Sequence, residues 1–298
     1  MTTEVEEFEV ALPDGRTLRG YDTGSNGDDR ITVVWHHGTP NVGTPPAPLF
    51  AAAARHRIRW LGYDRPGYGG STPHPGRTVG DAAADTAAIA DARGAGRIAL
   101  LGHSGGGSHA LACAARLPAG RVRAVASIAG LAPPGAAGLD WFAGMSTSGE
   151  AGLRAAAAGR RAKERYEEAI TEGDPGFTPG DWAALAGPWS WFGPVVTAAL
   201  RGGPAPLIDD DLAYVAPWGC DPADIPRQVP VLLVHGGADR LVPAAHGEWL
   251  ACRVPHAELW LRPHDGHIEA LAGAGEQVLA WLADPAAGNH ARPGRPET

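Results

Sequence analysis

The sequence predicts an α/β fold, in which a mostly parallel sheet of eight strands carries helices on both faces. Two observations lead to this class. Short, wholly apolar segments of strand length alternate with segments of helical length, which is typical of parallel strands buried on both faces. The alternation stops between residues 131 and 216, a stretch rich in Trp, Gly, Pro and Ala, and then resumes. The interruption predicts a helical cap inserted between two strands.

The first part of the predicted sheet starts with a hairpin. Residues 7–12 and 16–21 alternate apolar and polar side chains around Pro13-Asp14-Gly15, as the arms of an antiparallel hairpin do. Apolar strands and helices then follow in turn. We place these strands at residues 31–35, 58–63, 98–101 and 122–128, and these helices at residues 47–55, 81–92 and 106–117.

After the interruption the same alternation returns. The predicted strands span residues 231–234 and 258–261, and the predicted helices span residues 244–252 and 268–282. Within the interruption, one clear helical piece is predicted at residues 153–170.

This order of elements predicts the domain organisation. Residues 1–130 and 217–284 are expected to form the core domain, and residues 131–216 the cap. Residues 285–298 are rich in Pro, Gly and Arg, so they are expected to be a disordered tail.

Composition excludes several kinds of partner. The chain has 298 residues and a net charge of -8, so it lacks the basic surface that nucleic acids and anionic membranes require. Its three cysteines have neither a disulfide pattern nor zinc-ligand spacing. The N-terminus does not read as a secretory signal, and no apolar run approaches the roughly 20 residues of a membrane span. We expect a cytoplasmic protein, and the sequence does not indicate an oligomeric state.

The most informative motif follows the strand at residues 98–101. There the chain reads Gly102-His103-Ser104-Gly105-Gly106 and enters a helix, which is the G-x-S-x-G pattern in a strand-turn-helix context. Gly102 and Gly106 allow the close backbone approach that presents a serine on a sharp turn. A dinucleotide-binding loop is the alternative, but the glycines lack its G-x-G-x-x-G spacing and context. Ser104 is therefore the predicted nucleophile.

A serine hydroxyl needs a base, and the base needs a carboxylate to orient it. Asp239 lies in the loop after the strand at residues 231–234, and His267 lies just ahead of the last helix. The order Ser, Asp, His, each after a strand, is the order this type of triad requires. Ser104 is thus expected to attack, His267 to transfer the proton and Asp239 to orient the imidazole.

Other residues near His267 allow other interpretations. Asp265 is too close in sequence to reach the far nitrogen of His267, so we expect a solvated carboxylate. A metal site at His264, Asp265 and His267 lacks a third convincing ligand, and no metal or cofactor is implied. His103 and His109 are expected to be packing or helix-surface residues.

Acyl transfer also needs two hydrogen-bond donors for the oxyanion. The N–H of Gly105, directly after the nucleophile, is one candidate. The other is the N–H of Thr39 in His37-Gly38-Thr39-Pro40, where Gly38 allows the loop to approach the serine turn.

These motifs, together with Asp64-Arg65-Pro66-Gly67-Tyr68-Gly69-Gly70-Ser71, occur in one order over about residues 6–283. In this the chain resembles the α/β-hydrolase fold superfamily, in its lid-bearing esterase and peptidase-like branch. The resemblance implies that the Asp64–Ser71 stretch is a structural turn and that the cap covers a pocket.

Four tryptophans of the predicted cap region are candidates for that pocket: Trp141, Trp189, Trp191 and Trp218. Aromatic side chains suit a small apolar acyl substrate, although for any single one of them packing in the cap's own core is the more common role. The cap also carries acidic residues. Glu164, Glu167 and Glu168 lie among basic neighbours, as on a solvated helix face, and Asp209-Asp210-Asp211 forms a second group.

The sequence therefore predicts a serine hydrolase that cleaves a carboxylic ester or related acyl compound through an acyl-enzyme on Ser104. A proline-iminopeptidase-like aminopeptidase is an alternative, because an acidic lid residue can bind an amino group; that branch, however, tends to carry Trp where Gly105 stands. Three further alternatives remain open, namely a carbon–carbon hydrolase, a thioesterase and a non-catalytic binder on the same fold. Haloalkane dehalogenases and epoxide hydrolases are excluded, since they use aspartate where Ser104 stands.

Overall fold

The computed structural model describes residues 4–24, 30–170 and 173–284. Its sheet has eight strands in the order β1-β2-β4-β3-β5-β6-β7-β8. The strands are β1 Glu6–Ala11, β2 Thr17–Asp22, β3 Ile31–His36, β4 Ile58–Tyr63, β5 Ile98–His103, β6 Val122–Ile128, β7 Val231–Gly236 and β8 Glu258–Arg262. The pairs β1–β2 and β2–β4 are antiparallel and the others are parallel. The predicted fold class is confirmed.

Helices cover both faces of this sheet. They are α1 Phe50–Arg55, α2 Ala82–Ala92, α3 Gly105–Arg116, α4 Thr147–Ala157, α5 Arg160–Ala169, α6 Pro179–Ala186, α7 Phe192–Leu200, α8 Ala205–Tyr214, α9 Ala244–Arg253 and α10 His267–Ala283. Helices α1 and α10 pack on one face, and α2, α3 and α9 pack on the other. The predicted tail at residues 285–298 lies outside the described residues.

The central strands bring their carboxyl ends to one edge of the sheet. Strand β5 is buried throughout and pairs in parallel with β3 and β6. His36, the last residue of β3, stands beside Gly102 of β5. Loops that follow β3, β5, β7 and β8 therefore meet at this edge, where ligand sites of open α/β sheets form.

Among the described residues, five α-helices, α4 to α8, lie between β6 and β7. We call residues 131–216, which contain them, the insert. The single helical piece predicted at residues 153–170 is wrong, because α4 ends at Ala157 and α5 begins at Arg160. Between them Gly159 takes a φ of 102°, which is open to glycine because it has no Cβ. Helix-forming residues on both sides hide this break in the sequence.

Candidate active site

Ser104 occupies a strained turn between β5 and α3. Its backbone has φ 57° and ψ -133°, a conformation that costs a non-glycine residue roughly 1–3 kcal/mol. The neighbouring glycines make the turn possible. A Cβ on Gly102 would lie 2.1 Å from the carbonyl oxygen of Gly106, and one on Gly106 would lie 2.0 Å from that of His36. The turn therefore requires glycine at both positions.

Gly106→Ala should lower the free energy of unfolding by about 3 kcal/mol, because the new methyl group meets backbone that cannot move aside. Urea denaturation measures this change. Gly96→Ala is the matched control, since a Cβ at Gly96 has no atom within 4 Å, and its effect should stay within about 0.5 kcal/mol. Equal stability of the two variants would contradict the tight packing of the turn.

Asp239 and His267 form a buried pair. Asp239 Oδ2 lies 2.7 Å from His267 Nδ1. Asp239 Oδ1 accepts the backbone N–H groups of Leu241 at 2.8 Å and Val242 at 3.0 Å. Burial acts to lower the pKa of His267, but the charge and hydrogen bond of Asp239 outweigh it and raise that pKa above 6.5. With Nδ1 directed at the carboxylate, Nε2 is the nitrogen left to accept a proton.

The His267 ring lies beside the serine turn. Its centroid is 4.8 Å from that of His103, the residue that precedes Ser104. His103 Nε2 donates to the backbone oxygen of His267 at 3.1 Å, and burial lowers the pKa of His103 to about 3. His103 is thus a neutral residue that ties the two segments together. Asp265, the other acidic residue considered as a partner of His267, forms an ion pair with Arg262, three residues away.

Asp181 of the insert caps the helix that begins with His267. Its carboxylate is fully buried and accepts the backbone N–H groups of His267 at 3.2 Å, Ile268 at 2.7 Å and Glu269 at 2.9 Å. A carboxylate at a helix N-terminus satisfies orphan donors and interacts favourably with the helix dipole. This residue was not predicted from the sequence. Its capping box with Thr178 marks only the start of its own helix, α6.

The loop after β3 packs against the serine turn. A Cβ on Gly38 would lie 3.4 Å from Ser104 Cβ, so this glycine permits the approach. Thr39, Ser104 and Gly105 line one cavity of about 420 Å³. Tyr214 of α8 lines it as well, and its hydroxyl lies 2.7 Å from Thr39 Oγ1. The structure thus brings both predicted oxyanion residues to the cavity that contains Ser104.

The insert supplies much of the remaining wall, but not through the predicted tryptophans. Among the described residues that line the cavity, none is a tryptophan. Trp141 and Trp218 are buried in a cluster at the base of the insert, while Trp189 and Trp191 pack against Phe192. The prediction of these four as pocket residues is wrong, because their large apolar surfaces pack in buried clusters that residues of the insert share with the sheet domain.

The charged residues of the insert also lie differently from expectation. Glu167 is not on a solvated face; it lines the cavity together with Asp211. Both carboxylates lie 2.6 Å from Nζ of Lys163, the single lysine of the chain. Burial raises the pKa of Asp211 to about 6 although Lys163 opposes the shift. The cavity therefore has apolar walls and one charged cluster, in which Lys163 pairs with Glu167 and Asp211.

A family model described as the alpha/beta hydrolase fold matches residues 31–271 of this chain. The chain belongs to the α/β-hydrolase fold family. The predicted family is therefore confirmed. At the level of the family, the prediction of a hydrolase is confirmed as well.

Solved structures similar to this α/β-hydrolase share its fold at low identity. An esterase from Thermogutta terrifontis is 21% identical with a TM-score of 0.65, and covers 96% of this chain and 100% of its own. An enol-lactonase from Burkholderia xenovorans is 19% identical with a TM-score of 0.67, and the corresponding shares are 92% and 98%. A bromoperoxidase from Bacillus anthracis is 19% identical with a TM-score of 0.69, covering 93% and 99%.

One curated relative of this α/β-hydrolase is the dihydrolipoyllysine-residue acetyltransferase component of an acetoin cleaving system from Pseudomonas putida. It is 28% identical over an alignment of 286 positions, and the alignment covers 90% of this chain and 67% of the relative. In the part of the chain that the structure describes, no helix is both long and apolar enough to cross a membrane.

Proposed function

We propose that the protein hydrolyses a small carboxylic ester or related acyl compound through an acyl-enzyme on Ser104. One observation carries the proposal. A serine on a strained turn faces a cavity, and beside that turn a buried histidine is held by a carboxylate 2.7 Å away. Such a group of residues is suited to activating a hydroxyl for attack on a carbonyl carbon.

The reaction then proceeds in two halves. His267 Nε2 takes the Ser104 proton as the serine oxygen bonds to the acyl carbon, and the N–H groups of Thr39 and Gly105 stabilise the oxyanion. The C–O bond to the leaving alcohol breaks as His267 returns the proton to it. Water attacks the acyl-enzyme in the same way, which releases the acid and restores Ser104. Asp239 stabilises the imidazolium in both halves.

In this proposal the insert acts as a cap over the acyl site. Residues of α4, α5 and α8 line the cavity that Ser104 enters. The carboxylates of Glu167 and Asp211 would suit a substrate amino group, but both are already bonded to Lys163. This pairing favours ester over aminopeptidase chemistry.

Labelling with a fluorophosphonate probe, followed by mass spectrometry of the modified peptide, tests the activated serine. Turnover of p-nitrophenyl esters of increasing chain length then measures the acyl-chain length that the site accepts. Proline p-nitroanilide is the substrate that tests the aminopeptidase alternative. We expect the label on Ser104 and turnover of short esters. Faster cleavage of the anilide would favour the aminopeptidase, and neither label nor turnover would favour a binder.

The pH dependence of kcat/KM should report the pKa of His267. The base must be neutral, so activity is lost as the pH falls through its pKa, which Asp239 and, less strongly, Asp181 raise above 6.5. We therefore expect the midpoint of the acid limb above pH 6.5. Asp181→Asn should move it to lower pH, because the variant removes one of the charges that favour the imidazolium.

Asp174→Asn is the control for this shift, since Asp174 is an exposed aspartate of the same insert. Its acid limb should match that of the unchanged protein. If the acid limbs of the Asp181 and Asp174 variants have the same midpoint, Asp181 does not raise the pKa of His267.

A further inference from the structure

A buried cluster joins the insert to the loop that carries Thr39. Its centre is Asp210 of α8, which is fully buried. Its carboxylate accepts hydrogen bonds from Arg65 Nη2 at 2.6 Å, Arg77 Nη2 at 2.7 Å, Tyr68 OH at 2.9 Å and Thr39 Oγ1 at 2.6 Å. Burial acts to raise the pKa of Asp210, but the two arginines hold it well below its usual value. Asp210 is thus a buried anion whose donors all belong to the sheet domain.

Arg65 connects this anion to the backbone of the loop. Its guanidinium donates to the carbonyl oxygen of His37 and, at 3.0 Å, to that of Gly38. The Arg65 backbone N–H donates to His37 Nε2 at 3.0 Å, so the hydrogen of this imidazole is on Nδ1. His37 Nδ1 then donates to the Gly38 oxygen at 2.8 Å. The Gly38 carbonyl therefore accepts two hydrogen bonds, one of them from a cation.

The Gly38 carbonyl and the Thr39 N–H are the two ends of one peptide group. Because that group is planar, fixing the direction of the oxygen also fixes the direction of the N–H. Hydrogen bonds to the oxygen polarise the group and strengthen the N–H as a donor. The Thr39 hydroxyl is held as well, because it donates to Asp210 and accepts a hydrogen bond from Arg65 Nη2 at 3.0 Å.

We propose that Asp210 is a positioning residue for the oxyanion hole. Acting through Arg65 and through the Thr39 hydroxyl, it directs the Thr39 N–H at the cavity that contains Ser104. The inference rests on the proposed function for its catalytic meaning. It makes the insert part of the catalytic framework, in addition to its contribution to the cavity wall.

Asp210→Asn tests this role with a control of the same kind. Asp22 is also a buried aspartate bonded to two arginines, Arg59 and Arg93, but it lies on β2, outside the cavity lining. Both variants should lose stability. Asp210→Asn should lower kcat for a p-nitrophenyl ester about 10²-fold with KM within about threefold, whereas Asp22→Asn should leave kcat within about twofold. Equal kcat in both variants overturns the inference.

Thr39→Val provides a second test that leaves the buried charges in place. It keeps the backbone N–H but loses the hydroxyl that bonds to Asp210, so kcat should fall about tenfold, and Thr39→Ser should restore most of it. Unchanged kcat in Thr39→Val contradicts the side-chain part of the argument.

A crystal structure of Asp210→Asn judges the inference without turnover. We expect the Gly38–Thr39 peptide to rotate or shift away from its position beside Arg65, and an unmoved peptide overturns the inference. Absence of ester turnover in the unchanged protein, by contrast, counts against the proposed function alone.

Discussion

Ser104→Ala should lower kcat for an ester about 10⁶-fold while leaving the fold intact. The substitution removes only the hydroxyl. Among the described residues, Ser104 alone stands between β5 and α3, so no neighbour in the turn can replace this hydroxyl. Alanine and serine have the same Cβ, so the strained backbone at φ 57° is neither relieved nor made worse. Circular dichroism and the melting temperature should match those of the unchanged protein. Initial rates with a short p-nitrophenyl ester measure the loss.

Ser108→Ala is the matched control for this experiment. Ser108 is a buried serine of α3, the helix that follows Ser104, and its hydroxyl donates to the carbonyl oxygen of Leu131 at 3.1 Å. Its loss should cost about 1 kcal/mol of stability and leave turnover and probe labelling in place. Ester turnover that survives Ser104→Ala at a similar level would exclude the acyl-enzyme proposed here.

The sheet and the serine turn could be predicted because their signals are local. Strands β3, β5 and β7 read as largely apolar runs, which is the pattern of parallel strands buried on both faces. The glycines on both sides of Ser104 sit at fixed spacings, since the sharp turn leaves no room for Cβ atoms there. Asp239 and His267 followed from chain order once the strands were known.

The insert could not be predicted in the same way, because its structure depends on contacts distant in sequence. The buried aspartates show this. Asp181 caps a helix 86 residues further along the chain, and Asp210 bonds to Arg65, 145 residues before it. In the sequence Asp210 stands in a run of three aspartates that resembles a solvated segment. Arg65 stands in a motif whose family resemblance implies only a structural turn.

The tryptophans in and next to the insert were wrongly predicted as pocket residues for a related reason. A tryptophan that lines a pocket and one that fills a small core have the same local pattern, since both need apolar surroundings. Trp218 is fully buried beneath the insert, and Trp141 bonds through its ring nitrogen to the Ala132 carbonyl oxygen. The cavity wall instead uses Leu, Val and Tyr residues, whose positions depend on how α4, α5 and α8 pack.

Asp239→Asn should lower kcat about 10⁴-fold, because the surroundings of Asp239 dictate how the new amide is oriented. The backbone N–H groups of Leu241 and Val242 point at Oδ1, so the amide oxygen of asparagine must take that place. Its NH₂ group then faces His267 Nδ1, at the position of Oδ2. Nδ1 becomes an acceptor, and the imidazole hydrogen moves to Nε2. The base can no longer accept the Ser104 proton.

The pH profile separates this cause from a loss of folding. The variant also removes the charge that raises the pKa of His267, so its acid limb should move to lower pH while the maximal rate stays depressed at every pH. Asp265→Asn is the control, because Asp265 stands only two residues from the base in sequence but bonds to Arg262. Its turnover should remain within about threefold of the unchanged protein. A large loss in Asp265→Asn with normal turnover in Asp239→Asn would reverse the assignment of the orienting carboxylate.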